Sequence, residues 1–382
     1  MNSRRFFLVL ASLLPLVVFG CFAEPEAGDD SLAIELRWVR SYPTERRSDV
    51  ETGLLWTLSL LGAALSRDEP SPLIWRGDTI ALSLETAGID SAVLRNWRRL
   101  FTVLKASEEY QRRGGIDIGR FVALTLCSSH HYYLLTGASS SYEQVRERYD
   151  FDPQLAAIVE SSVAVGNRLI EISRGDTADE LAFVAHEGTG SVQQGSFRPV
   201  EHELLTVMAN GQLRFALYDT SGSIKPAASD AVTTAGKPAK CLWCHESQLS
   251  RPFVGRTSVA GYYSPAGFER QVANKDEILR RARAGLRSRI DFGHGQDHTY
   301  AELLYLSFYE PSAERLANEW GVPVEQAEQL LEDFPSHAND EFEFLGNKLY
   351  SRSQIDTLSP YDVIEVPTDP REPSLYEPNL LR

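Results

Sequence analysis

The residues of this 382-residue chain best suited to chemistry stand side by side: Cys241-Leu242-Trp243-Cys244-His245, a C-x-x-C-H sequence. On a helix, positions i, i+3 and i+4 share one face. Two thiols and an imidazole on one face can do three things. The sulfurs can reach the two vinyl groups of a single porphyrin while the imidazole reaches its iron. The thiols can cycle as a redox dithiol, although that motif ordinarily follows a core strand, and here a Lys/Pro/Ala loop precedes it. Or they can supply half of a structural zinc site, which needs four ligands. Only Cys127 remains to help in that case, so zinc would have to recruit distant histidines.

Other groupings carry weaker signals. Three His-Glu pairs occur, His186-Glu187, His202-Glu203 and His245-Glu246, but Gly190, Thr206 and Leu249 stand where H-E-x-x-H needs its second histidine. Glu201-His202-Glu203 with His186 and Glu160 would make a metal or acid/base cluster if brought together. Strand alternation puts neighbours on opposite faces, so surface charges are the expectation. His130-His131-Tyr132-Tyr133 reads as a polar loop with aromatic packing, and Cys127 as a buried thiol. The arginines at 280, 281, 283, 287 and 289 read as a solvated helix face. No G-x-G-x-x-G, Walker-type loop or G-x-S-x-G is present, so nucleotide binding and serine hydrolysis have no support.

The elements that must position these residues begin with an export signal. Arg4 and Arg5 precede an uncharged apolar run, Phe6 to Phe19, too short to span a bilayer and right for the core of a signal peptide. Ile34, Leu36 and Trp38 alternate as in a strand, residues 50–66 and 91–112 read as helices, and residues 119–127 as a short helix or strand. From 156 to 218 the pattern turns to strands (156–159, 168–172, 181–184, 204–208 and 213–218), with Asn210-Gly211 a hairpin cue. The expected organisation is a signal peptide over 1–20, a tether over 21–33, an α+β domain with an antiparallel sheet over 34–220 and a linker over 221–240. A mostly α-helical domain over 241–345 and an extended Pro-containing tail over 346–382 complete it. Helices are expected over 272–290, 299–309 and 312–320, with Gly321 a C-cap and Pro323 opening the next helix. Leu316–Ala327 has the outline of a helix-turn-helix and reads as a plain αα-turn. Lys plus Arg is 38 and Asp plus Glu 53, a net charge of −15. Such a chain is a poor partner for phosphate backbones, which argues against nucleic acid and for a basic docking partner.

Two resemblances give these features a setting. Val18-Phe19-Gly20-Cys21 resembles a bacterial lipobox, with Phe19 where a small residue is usual. It implies cleavage before Cys21, lipidation of Cys21 and a lipid anchor on the periplasmic side of the cell envelope, an oxidising compartment. By analogy with enterobacterial lipoproteins, Phe22 favours the outer membrane. Pro238-Ala239-Lys240-Cys241-Leu242-Trp243-Cys244-His245 resembles the attachment site of c-type cytochromes. That resemblance covers the motif and about a hundred residues after it, and implies a cytochrome c-like domain there. It implies one covalent haem c, with Cys241 and Cys244 as thioether anchors and His245 as proximal ligand, its other ring N–H bonded to a carbonyl, for which Pro252 is the candidate. The sixth ligand is open: His294 or His298, an upstream residue such as Met208, or none. The expected role is one-electron transfer with a redox partner protein. The alternatives are a peroxidase-like or gas-binding haem protein with an open distal site, and a non-haem envelope lipoprotein.

Overall fold

The computed structural model describes residues 32–249, 257–372 and 376–381. The expected export signal, Cys21, most of the expected tether and Pro252 lie outside the described residues. No described helix is long and apolar enough to cross a membrane.

The architecture is mixed α/β with antiparallel sheets. Strands β1 (Ala33–Arg37), β2 (Leu73–Arg76), β3 (Thr79–Ser83) and β4 (Ile116–Asp117) form one sheet of order β2-β3-β1-β4, in which only β1 and β4 run parallel. Helix α1 (Arg47–Leu60) stops short of 66 because Gly62 takes φ +94. The helix expected over 91–112 is two, α2 (Leu94–Ala106) and α3 (Glu108–Arg113). Ser107 interrupts it, its Oγ accepting the Tyr110 N–H as an N-cap. Next come α4 (Ile118–Thr125), α5 (Ser129–Thr136) and α6 (Tyr142–Arg148). Helix α5 holds His130-His131-Tyr132-Tyr133, so that segment is no loop. Ser128 caps it, and His131 and Tyr132 are buried.

All five strand segments read between 156 and 218 are present: β5 (Ala156–Ile158), β6 (Arg168–Ile172), β7 (Ala182–Thr189), β8 (Arg198–Val207) and β9 (Leu213–Asp219). They form an antiparallel meander in sequence order, and Gly211 turns the last hairpin at φ +82. Helices α7 (Pro238–His245), α8 (Pro265–Gly285), α9 (Thr299–Tyr309), α10 (Ala313–Trp320) and α11 (Val324–Leu330) follow. Two short strands, β10 (Ser336–His337) and β11 (Leu349–Tyr350), and α12 (Arg352–Ile355) complete the chain. Gly321 at φ +70 and Pro323 separate α10 from α11 in the expected αα-turn.

Ser31–Arg382 forms one compact unit. The reason is packing. Helix α9 is apolar all round and nearly every residue of it is buried, which demands neighbours on all sides. Helices α1 and α4, from the N-terminal half, supply them. Glycines allow the approach. A Cβ at Gly53 would lie 2.6 Å from the Tyr300 carbonyl oxygen, and one at Gly119 would lie 2.4 Å from Phe308 Cβ.

A buried ion network fastens the same halves. Arg120 reaches Glu109 at 2.9 Å, Asp356 at 2.8 Å and Glu319 at 3.3 Å, while Arg315 joins Asp117 at 2.9 Å to Glu319 at 2.6 Å. Arg352 pairs with Glu319 at 2.8 Å and lies 4.0 Å over the Phe308 ring. The expected linker is folded down as well: the Ser229 N–H donates to Glu201 and the Thr234 N–H to the Val163 carbonyl. The tail is extended but strapped in place. Tyr309 Oη donates to the Pro367 carbonyl at 2.9 Å, the Leu380 N–H to His131 Nε2 at 2.9 Å, and Lys237 pairs with Glu377.

Candidate haem-binding site

Helix α7 starts on Pro238 at its first position and ends at His245. The end is abrupt. Glu246 (φ 47) and Ser247 (φ 60) are the only non-glycine residues with positive φ among the described residues, a conformation costing about 1–3 kcal/mol each. Tertiary bonds hold the turn. Ser247 Oγ donates to Gln212 Oε1 at 2.6 Å, Gln212 Nε2 donates to Ser59 Oγ at 3.0 Å, and Arg283 donates to the carbonyls of Ser247 and Gly211.

The turn carries the Gln248 carbonyl back to 3.2 Å from His245 Nδ1. A carbonyl only accepts, so Nδ1 carries the hydrogen and Nε2 keeps its lone pair, as a metal-ligating imidazole requires. Burial lowers the pKa of His245, which keeps the ring neutral. Its ring centroid lies 5.0 Å from that of Phe215.

Cys241, Cys244 and His245 open on one cavity of about 170 Å³. The sheet makes its floor. In register across β6 to β9, Ile172, Phe183, Leu205 and Phe215 form one cross-strand row, and Ile170, Ala185, Glu203 and Leu217 the next. Phe268 and Val272 of α8 also line it. Both cysteines are free thiols, and burial pushes both thiol pKa values up. That is the wrong direction for a redox dithiol, which works as a thiolate. Among the described residues no three His, Cys, Asp or Glu side chains are grouped to hold a metal ion, so a zinc site lacks its other ligands. A haem asks only for two sulfurs, one oriented imidazole and apolar walls, and these residues fit it.

Beyond the apolar rows the same sheet face turns charged. Arg168, Glu187 and Glu201 are opposed across β6, β7 and β8 and are buried, with Glu203 one row nearer the apolar end. Arg168 pairs with Glu187 and, at 3.5 Å, with Glu203; Lys225 pairs with Glu201. The expectation of surface charges fails here, because α7, α8 and the folded 221–240 segment cover this face. Alternation holds for the histidines. His186 and His202 lie on the opposite face, Nδ1 to Nδ1 at 2.8 Å, and Glu160 is exposed elsewhere. His202 stacks on Tyr142, and burial together with His186 lowers its pKa to about 4.

The proposed distal histidines are not brought to the cavity. His294 is exposed and bonded to Asp291 at 3.0 Å. His298 is buried, with Nδ1 donating to the Gly295 carbonyl at 2.6 Å and Nε2 to Glu302 at 2.8 Å, so both ring nitrogens are engaged. Met208 packs beside Gly62, its sulfur 3.5 Å from where a Cβ there would sit. Among the described residues His245 is therefore the one imidazole lining the cavity, and no methionine joins it. Of the α8 arginines, Arg280 and Arg281 are exposed and paired with Glu277, but Arg283 is drawn inward under the post-motif turn. Gln212 and Ser247 carried no sequence signal, and Arg283 read as part of a solvated helix face, since each acts only through partners far away in the chain. No family model, curated protein or solved structure matches this chain.

Proposed function

We propose that this chain is a lipid-anchored monohaem c-type protein of the bacterial cell envelope that exchanges single electrons with a redox partner protein. The observation that carries the reading is the cavity on which Cys241, Cys244 and His245 all open, with the His245 Nδ1–H tied to the Gln248 carbonyl. Thioether bonds from Cys241 and Cys244 and a bond from His245 Nε2 would hold the haem, which supplies one-electron chemistry when bound. The chain's own residues do the rest. Phe215 supports the imidazole, the Gln248 carbonyl fixes its tautomer, and the apolar rows of the sheet exclude water. The haem-bearing part is the helical stretch from α7 onward, the cytochrome c-like region expected over 241–345, closed by the β5–β9 sheet. Lipid on Cys21 would tether the folded part outside the cytoplasm, with the outer membrane favoured. The net charge of −15 suits a basic protein partner and no nucleic acid.

A second reading, a haem enzyme or sensor with an open axial position, is favoured by one specific observation: among the described residues the lining holds a single imidazole and no methionine sulfur. The test is expression of the full chain with haem-maturation machinery. Haem stain after denaturing electrophoresis is expected on the parent and lost in Cys241→Ala/Cys244→Ala. His245→Ala is expected to abolish attachment or change the spin state. Carbon monoxide added to the reduced parent shifts the spectrum at once if the axial position is open. Unstained protein whose motif thiols alkylate freely overturns the haem reading and leaves a non-haem envelope lipoprotein.

A further inference from the structure

Helix α2 reverses the sign of an acidic chain. Its 13 residues include Arg95, Arg98, Arg99 and Lys105 and no Asp or Glu, whereas the whole chain has 53 acidic residues against 38 basic ones. Trp97, Leu100, Phe101 and Leu104 bury one face of the helix in the core. Arg95, Arg98, Arg99 and Thr102 are exposed on the other, and spacings of three and four set them in one stripe. The stripe has an apolar margin. Leu134 of α5 is exposed beside it, its carbonyl accepting from Asn96 Nδ2 at 2.8 Å, and Val93 and Leu94 are half-buried where the helix starts. Arginines with aliphatic stems beside a few uncovered apolar side chains suit the headgroup layer of a bilayer, where stems and apolar groups sink and charged ends stay wet. The chain also enters the fold at this place. The Leu84 N–H donates to the Leu32 carbonyl at 2.7 Å, and α2, which follows, packs on β1, the first strand after the entry. Leu32 is 11 positions after Cys21, a reach of at most about 40 Å.

We propose that the exposed face of α2 docks on an anionic phospholipid bilayer, the one in which the acyl groups of Cys21 are held. The guanidinium groups of Arg95 and Arg98 pair with headgroup phosphates, and Leu134 enters the interface. The net charge of −15 makes the rest of the surface a poor fit to the same headgroups, so the protein rests with α2 towards the lipid. The inference rests on the anchor reading, since the short reach from Cys21 keeps α2 at the bilayer, and it deepens that reading by naming the docking face and the lipid class.

The probes are vesicles of phosphatidylethanolamine with phosphatidylglycerol, and vesicles of phosphatidylcholine alone. Each is sedimented with the chain from residue 21 onward carrying Cys21→Ser, so that no acyl group contributes. Ser31–Arg382 forms one compact unit, so this chain keeps the whole core. Binding to the anionic vesicles and not to the neutral ones is expected, with release in concentrated salt. Arg95→Gln/Arg98→Gln is expected to weaken binding by about 25-fold, about fivefold for each arginine, at an unchanged Tm. Equal binding to both vesicles overturns the proposal, and that comparison needs no variant to fold. Binding by the folded variant at the parent's strength also overturns it. Binding to soluble polyglutamate in preference to the anionic vesicles marks a face for an acidic protein and overturns it too. Intact mass of the native protein reads the anchor separately. Acylated Cys21 without a preference for anionic vesicles overturns the docking alone, and unacylated Cys21 overturns both.

Discussion

Replacing Gln212 with alanine should unfasten the turn that aims His245. The Gln212 amide is fully buried between two hydroxyls, accepting from Ser247 Oγ at 2.6 Å and donating to Ser59 Oγ at 3.0 Å. Truncation leaves both serines without that partner, at about 1–3 kcal/mol each. Part of this is recovered, because Ser247 is then free to leave its left-handed conformation, worth about 1–3 kcal/mol. A net loss of about 2 kcal/mol follows. Unfolding entropy near 2.1 cal/mol/K per residue over about 350 residues gives about 0.7 kcal/mol/K, so Tm should fall by about 3 °C. The functional consequence is separate. As the turn relaxes, the Gln248 carbonyl leaves His245 Nδ1 and the imidazole becomes a weaker base, so under the proposed function the iron–histidine stretching band of the reduced, haem-loaded chain should move to lower frequency. Gln212→Ala/Ser247→Gly should lose less stability than Gln212→Ala alone, since glycine adopts φ near 60 without strain. A Tm within about 1 °C of the parent together with an unmoved band would refute the claim that this turn positions the ligand.

Two further predictions concern the frame. Glu319 is completely buried; burial by itself would raise its pKa, but Arg352, Arg315 and Arg120 outweigh it and hold the carboxyl well below the usual range. A depressed carboxylate contributes stability that is present above the unfolded value of 4.5 and lost as pH falls through the folded one. Glu319→Gln should therefore cost about 3–5 kcal/mol at neutral pH and flatten the acid limb of Tm against pH; an unchanged limb would show that the network does not act as described. Gly119→Ala should push α4 off α9, since the new methyl would meet Phe308 Cβ at 2.4 Å and the Leu304 carbonyl at 2.8 Å. The denaturation midpoint should drop by the equivalent of about 1–3 kcal/mol, and a raised midpoint would contradict the packing argument.

Strands β5 to β9 were legible because alternation and the Asn210-Gly211 turn are local signals, and local signals survive folding. The break at Ser107 was missed because a helix interior and an N-cap differ only in whether the side chain finds a free N–H. The tie-down of 221–240 was not legible for a different reason. Small polar residues in 221–240 read as a linker, but nothing local tells that Glu201 and Val163 will tie that segment down. Burial of Glu187 and Glu201 was hidden in the same way, since alternation assigns a face and not what covers it.

The sequence by itself determined the chemistry on offer: two sulfurs and an imidazole at spacings that share a helix face, in an acidic chain. Those are properties of residue type and of the 3.6-residue period, and they need no partner. Only the tertiary structure decided which way the imidazole points, which charges are buried beside it, and that His294, His298 and Met208 stand away from the cavity. Each of those depends on contacts between residues tens to hundreds of positions apart, and such contacts leave no trace in local order along the chain.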